Sequence, residues 1–231
     1  MTKVLTASPN QWSKEYKNKG IPSSFRDDPS GSVQYFLAFL QAHNAVTGRL
    51  LDIGCGTARN SQYMADQGFH VTCVDYVKEL IERIELYKTT GENIIKPVLH
   101  DVSTPWPFVS REFDVAIDTF CYKHQIPLES KDTYKKELAR VLKKNGYYLL
   151  TLAGTDDGYY KQFLNSSPEN NRNIIIDPEI DIASILYTKE DIENEFNMDF
   201  ELVDYQHKSK NSLMHGKVFN RSTHVFVFKR R

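Results

Sequence analysis

The chain has 231 residues and a formal net charge of −1. That length accommodates one α/β domain with a full core, and the near-neutral charge excludes the global basic field that would draw nucleic acid or an anionic membrane surface. The three cysteines, Cys55, Cys73 and Cys121, lack C-x-x-C spacing, which argues against a zinc or disulfide framework, and no run of ~18 apolar residues offers a membrane span. With no sustained apolar stretch in residues 1–7 either, the expected location is a reducing cytoplasm.

Residues 8–30 are polar yet carry Trp12, Tyr16, Ile21 and Phe25, too many large apolar groups for a disordered arm. Trp12 and Tyr16, four apart, share one face of a short helix, and the prolines and serines of residues 21–29 read as a loop. Val33, Phe36, Leu37 and Leu40 then predict an amphipathic helix over 33–43. Leu50, Leu51 and Ile53 form a short buried strand, Gly54 and Gly56 a sharp turn, and residues 57–66 a helix that leaves the turn directly. Glycines at such a crossing let a ligand lie against bare backbone.

Residues 69–74 supply a second strand ending at Asp75. If the two strands are parallel neighbours, the Asp75 carboxylate stands beside the glycine turn, where it can accept from both hydroxyls of a ribose. Val77, Leu80, Ile81, Ile84 and Tyr87 repeat at helical spacing until Gly91, and residues 94–99 give a third strand ending at His100, Asp101 and Val102. This alternation requires a parallel sheet covered on both faces.

Residues 113–118 form a fourth strand with Asp118 at its end. Residues 133–143 are helical, with Tyr134, Leu138, Val141 and Leu142 inward, and Asn145-Gly146 turns the chain into a fifth strand over 147–152. Polar strand ends gather on one rim, where open α/β sheets bind ligands. Residues 154–187 hold no persistent pattern and are expected to hang over that rim as an insertion, with Asp157, Tyr159, Tyr160, Phe163 and Ile174 as pocket candidates. Thr188-Lys-Glu-Asp191 starts a helix through Phe196. Residues 200–205 and 223–228 alternate as antiparallel strands, with 206–221 a polar connection rather than a tight hairpin. His207, His215, Arg221 and His224 fit no metal spacing and read as surface or substrate-edge residues, so no metal is expected.

The glycine turn discriminates between cofactors. A dinucleotide fingerprint needs a third glycine where Arg59 stands, and Asp52, just before Ile53-Gly54, has no evident use in such a site. Leu51-Asp52-Ile53-Gly54-Cys55-Gly56-Thr57 instead resembles the first motif of class I S-adenosylmethionine-dependent methyltransferases, with Ala58 replacing the usual last glycine. The resemblance implies a Rossmann-like three-layer sandwich with a seven-stranded, mostly parallel sheet and an antiparallel last strand. It also implies one domain over 1–231: an N-terminal helical lid (1–47), a cofactor-binding core (48–153), an insertion capping the substrate (154–187), and a C-terminal helix with two strands (188–231).

On the same resemblance the cofactor is S-adenosylmethionine. Trp12 and Tyr16 fold over it, and Asp52 shapes the turn or meets the ammonium group through a water. Gly54 and Gly56 make room for its methionine part, Asp75 with neighbouring Tyr76 holds the ribose, and Asp101 with the Val102 backbone reads the adenine. Asp118-Thr-Phe-Cys-Tyr-Lys-His124 resembles an acid-to-histidine pattern of small-molecule methyltransferases. His124 is then a general base or orienting group, Asp118 positions cofactor or substrate, and Tyr122 and Lys123 stand beside them. The expected acceptor is a small molecule, bound by a monomer or homodimer without nucleic acid or membrane. A protein or peptide acceptor and a non-catalytic cofactor-binding protein are the alternatives.

Overall fold

The computed structural model describes residues 6–86, 95–166 and 173–231; Tyr87, Gly91 and Ile94, expected to end a helix and open a strand, lie outside the described residues. Ser8 caps helix α1 (Pro9–Asn18) in a capping box with Gln11, and Pro9 at the first position presets the helical φ. The expected loop that follows contains one helical turn, α2 (Pro22–Phe25). Glu15 fixes this corner, its Oε1 lying 2.8 Å from the Gly20 and Ile21 amides and 2.8 Å from the Ser24 hydroxyl. Helix α3 (Gly31–Ala42) buries Val33, Phe36, Leu37 and Leu40, the stripe that its periodicity predicts.

The core alternates strands and helices: β1 (Gly48–Ile53), α4 (Arg59–Asp66), β2 (Phe69–Asp75), α5 (Lys78–Leu86), β3 (Ile95–Leu99), β4 (Phe113–Thr119), α6 (Leu128–Val141) and β5 (Leu142–Ala153). After these come β6 (Ile174–Asp177), β7 (Ile182–Ile185), α7 (Lys189–Phe196), β8 (Phe200–Met214) and β9 (Lys217–Arg230). The seven-stranded sheet runs β3-β2-β1-β4-β5-β9-β8. Strands β1 to β5 pair in parallel, and β9 runs antiparallel to both its neighbours. One apolar cluster, with Val33, Phe36, Met64 and Phe69, covers one face of the sheet; the other, with Phe113, Tyr134, Tyr148 and Phe196, covers the opposite face. The result is a three-layer sandwich, as expected of a sheet whose inner strands are apolar on both sides.

Three expectations are corrected. The helix expected over 133–143 starts at Leu128, and its last residues already belong to β5. Asn145-Gly146 therefore does not open the strand; it lies in an irregularity where the register moves from Phe113↔Leu142 to Val115↔Tyr147, with Asn145 at φ 64°. Residues 154–187 are not patternless among those described. They include a 3-10 stretch at Tyr160–Ser166 and the β6–β7 hairpin, in which Ile174 and Ile175 are strand residues because they are buried.

The third correction is the largest. The polar connection expected over 206–221 is a tight hairpin, pairing from Phe200↔Arg230 to Met214↔Lys217 with one irregularity between Leu202 and Asp204, around His215 (φ 45°) and Gly216 (φ 77°). Positive φ at both central residues is what a two-residue hairpin turn with the right twist demands. Its sequence hides it because residues 206–221 are mostly exposed or half-buried and show no apolar alternation.

Candidate active site

The site begins at the turn after β1. Gly54 (φ 68°) and Gly56 (φ 56°) are left-handed; a Cβ on Gly54 would meet the Cys121 side chain at 2.7 Å, and one on Gly56 the Tyr16 hydroxyl at 2.1 Å. Ala58 is also left-handed, at φ 61°. That explains both why the resembling motif carries glycine there and why α4 starts at Arg59 rather than 57; alanine holds this conformation at a cost on the order of 1 kcal/mol. The Gly54 and Cys55 amides donate to the Val74 carbonyl at 2.8 and 3.1 Å, which fastens the turn to β2.

Asp75 ends β2 beside that turn, as the parallel pairing requires. Its Oδ2 accepts from the Gly56 amide at 2.9 Å and its Oδ1 from the Val77 amide at 3.0 Å. Burial raises its pKa against the pull of these bonds, and the carboxylate still faces the cavity with lone pairs to spare. The cavity runs from Asp101 and Val102 beyond β3, past Asp75, Tyr76, Gly54 and Thr57, to Phe120, Lys123 and His124 after β4. Trp12 and Tyr16 of α1 close it from above, and the Tyr76 hydroxyl donates to the Ala7 carbonyl at 2.9 Å, holding the N-terminal segment across it.

Several candidates stand behind the wall rather than in it. Gly56 is covered by Tyr16. Asp52 lies beneath the turn, its Oδ2 accepting from the Ser61 hydroxyl at 2.6 Å while Oδ1 is buried with no partner among the described residues; burial pushes its pKa up to about 7. Of the two roles expected of Asp52, shaping the turn is the one this position serves. Asp118 accepts from the Cys121 and Tyr122 amides at 2.7 and 2.9 Å and from the Tyr134 hydroxyl at 2.5 Å. It shapes the loop after β4 from below, and burial raises its pKa to about 7. Tyr122 is corrected outright as a catalytic candidate: its ring is fully buried in the core and its hydroxyl bonds Glu195.

His124 does line the cavity. Its Nδ1 donates to the Ala183 carbonyl at 2.8 Å, which leaves the Nε2 lone pair unprotonated, and its ring meets Trp12 edge-on at 4.9 Å. Burial, then the Lys123 charge, lowers its pKa to about 3, so the ring is neutral at physiological pH. Lys123 is 2% exposed, pairs with no carboxylate among the described residues, and holds its Nζ 4.0 Å from the Tyr160 ring centre. Burial, then Arg221, lowers its pKa to about 7.

Of the five pocket candidates in the insertion, Tyr160 reaches the cavity wall. Asp157 is buried as the ion-pair partner of Arg221 Nε at 2.7 Å, and Ile174 belongs to the core. Arg221 itself lines the cavity. Of the two places expected for it, surface or substrate edge, this is the second; nothing local in the sequence reveals that β9 passes this rim.

Residues 51–150 match the family described as methyltransferase domain. Comparison with curated proteins finds no match. Among solved structures, an S-adenosylmethionine-dependent methyltransferase from Methanosarcina mazei is similar at TM-score 0.66 and 20% identity, over 78% of this chain and 91% of that one. The 1,6-didemethyltoxoflavin-N1-methyltransferase of Burkholderia thailandensis, solved with 1,6-didemethyltoxoflavin and S-adenosylhomocysteine, gives TM-score 0.68 and 18% identity over 99% and 93%. An S-adenosylmethionine-dependent methyltransferase from Clostridium acetobutylicum gives 0.68 and 14% over 95% and 98%. These likenesses are likenesses of fold. The cofactor also fits this chain's own residues: bare glycine backbone at Gly54, an acid at the end of β2 and another after β3 line one continuous cavity. With the methyltransferase-domain match over residues 51–150, the seven-stranded sheet and this acid-lined cavity, the chain resembles S-adenosylmethionine-dependent methyltransferases of the class I fold.

Proposed function

We propose that the chain methylates a small-molecule acceptor, held in the far end of the cofactor cavity between Lys123 and His124 below and the N-terminal helices above. One observation carries this reading. The acceptor end is roofed by chain from three separate regions, with Ile21 from the N-terminus, Tyr160 from the insertion and Arg221 from β9 all in its wall, and the roof is tied shut where the His215 amide donates to the Gly20 carbonyl at 2.7 Å. A folded protein surface has no way into such a space; a small molecule does. The N-terminal segment acts as the lid and residues 154–187 as part of the cap.

In this reading Asp75 and Tyr76 hold the ribose, Asp101 and Val102 the adenine, and Trp12 and Tyr16 cover the cofactor. S-adenosylmethionine supplies an electrophilic methyl group on a sulfonium, and the displacement is in line, so the protein contributes proximity and removal of the acceptor's proton. Magnitudes separate the two basic groups. His124, with a pKa near 3, is a weak base and serves as a hydrogen-bond acceptor that orients the nucleophile through Nε2. Lys123, with a pKa near 7, is matched to take the proton at neutral pH. The B. thailandensis enzyme, solved with 1,6-didemethyltoxoflavin beside S-adenosylhomocysteine, supports the acceptor class without identifying the acceptor.

The test is to incubate the protein with methyl-labelled S-adenosylmethionine and a cell extract split by molecular size. Label entering the low-mass fraction supports the proposal. Label entering only proteins or peptides overturns it.

A further inference from the structure

We propose that Asp156, His207 and His224 form a binding site for one divalent transition-metal cation of the Zn²⁺ type, outside the methyl-transfer cavity. The tight β8–β9 hairpin creates the site. Its register sets His207 directly opposite His224, and the two imidazoles stack with ring centres 4.8 Å apart and planes 12° apart. Asp156, just beyond β5, comes up beside them, with Oδ2 3.2 Å from His207 Nε2. One ligand atom from each of the three residues falls within 4.8 Å of the others.

Gly154 supplies the second line of argument. Its φ is not left-handed, so no backbone reason calls for glycine. A Cβ there would stand 2.5 Å from Asp156 Oδ1 and 2.5 Å from His224 Nε2. The missing side chain thus lets the Asp156 carboxylate and the His224 imidazole both lie close over the Gly154 backbone. Zinc sits about 2.0–2.2 Å from such atoms, so an ion seated among the three side chains would draw them together.

The surroundings suit a metal. His224 Nδ1 is hydrogen-bonded to the Tyr205 hydroxyl at 2.7 Å, the outer contact that fixes a ligating imidazole and leaves Nε2 for the ion. Two imidazoles and a carboxylate select a borderline cation rather than Mg²⁺ or Ca²⁺, and water completes its coordination. Ser222 donates to Asp156 Oδ1 at 2.6 Å and lies 2.7 Å from His207 Nε2, a hydrogen-bonded cluster that a metal would displace. An ion here would pin the segment after β5 to the ribbon, and with it Asp157, the partner that holds Arg221 in the cavity wall.

The experiment titrates Co²⁺ into metal-stripped, tag-free protein, reads the visible bands of low-coordinate Co²⁺, and then displaces it with Zn²⁺. Saturation at one ion per chain is expected. His207→Gln, at a partly exposed position, and Gly154→Ala, whose methyl would push Asp156 and His224 aside, should each weaken binding roughly 10-fold or more, while His70→Gln on an exposed strand position leaves it unchanged. S-adenosylmethionine binding by each variant verifies that it is folded. No saturable Co²⁺ binding, or binding undiminished in His207→Gln, would overturn the proposal.

Discussion

Asp75 has three jobs at one position. It holds the Gly56 amide, caps the start of α5 through Val77, and faces the cavity. Asp75→Ala removes an acceptor of charge-assisted hydrogen bonds, so cofactor affinity should fall by about 2 kcal/mol, read by calorimetric titration with S-adenosylmethionine; an unchanged dissociation constant would remove Asp75 from the ribose site. Lys123 gives the sharper prediction. An unfolded lysine keeps its proton up to 10.5, whereas the buried one releases it near 7. Between those values the folded chain binds fewer protons than the unfolded, so this group's contribution to stability is fully present above 10.5 and is lost as pH falls through 7. Lys123→Met removes that penalty and should be more stable than the native protein at pH 7 by about 2–4 kcal/mol, the gap closing toward pH 10. The same variant should lose turnover, the signature of a residue kept for activity at the expense of stability. Denaturant unfolding at the two pH values checks the first half and a methyl-transfer assay the second.

Among the elements, the N-terminal helices depend on one side chain. Glu15 is 1% exposed and gathers three donors at a single oxygen, which is why α1 and α2 keep their corner over the cavity. Glu15→Ala leaves buried amides without an acceptor and should cost about 2–4 kcal/mol locally. The effect belongs to residues 9–25: faster amide exchange and proteolysis there, and weaker cofactor binding because Trp12 and Tyr16 lose their support, with the sheet's protection unchanged. Glu15→Gln, which keeps an acceptor, should recover most of it. If α1 exchanged no faster in the alanine variant, the corner would be held by something else. The ribbon β8–β9 teaches a related lesson. It carries Arg221 to the cavity and the two histidines to each other, and neither meeting depends on local sequence pattern.

For the whole molecule, cofactor binding and folding are linked. S-adenosylmethionine at about 100 times its dissociation constant should stabilise the fold by about 2.7 kcal/mol, a rise of roughly 5–10 °C in melting temperature for a chain of this size. NAD should give no shift, because Arg59 stands where a dinucleotide turn needs its third glycine. A shift with NAD and none with S-adenosylmethionine would contradict the fit of the cavity.

What the sequence determined by itself is what depends on neighbours along the chain. Helical stripes such as Val33, Phe36, Leu37 and Leu40, apolar strands ended by acids, and a glycine turn after β1 are local signals, and the alternation of strand and helix forces a parallel sheet with its polar strand ends on one rim. From these Asp75 and Asp101 were legible as rim residues, and the resemblance of the motifs to methyltransferases added Trp12, Tyr16 and His124, all of which line the cavity. Tertiary structure decided what depends on distant chain. Tyr122 and His124 are two residues apart in one short turn, yet one enters the core and the other the cavity, because Glu195 on α7 and Ala183 on β7 receive them. The last two strands were legible at 200–205 and 223–228, but their continuation through 206–221 as one hairpin was not, because that mostly exposed stretch has no apolar face to announce its register; only the turn at His215-Gly216 and the pairing with β5 fix it. Burial, too, is a property of the assembled layers, and it is burial that converts Lys123 from a surface cation in the sequence into an amine poised near neutrality in the fold.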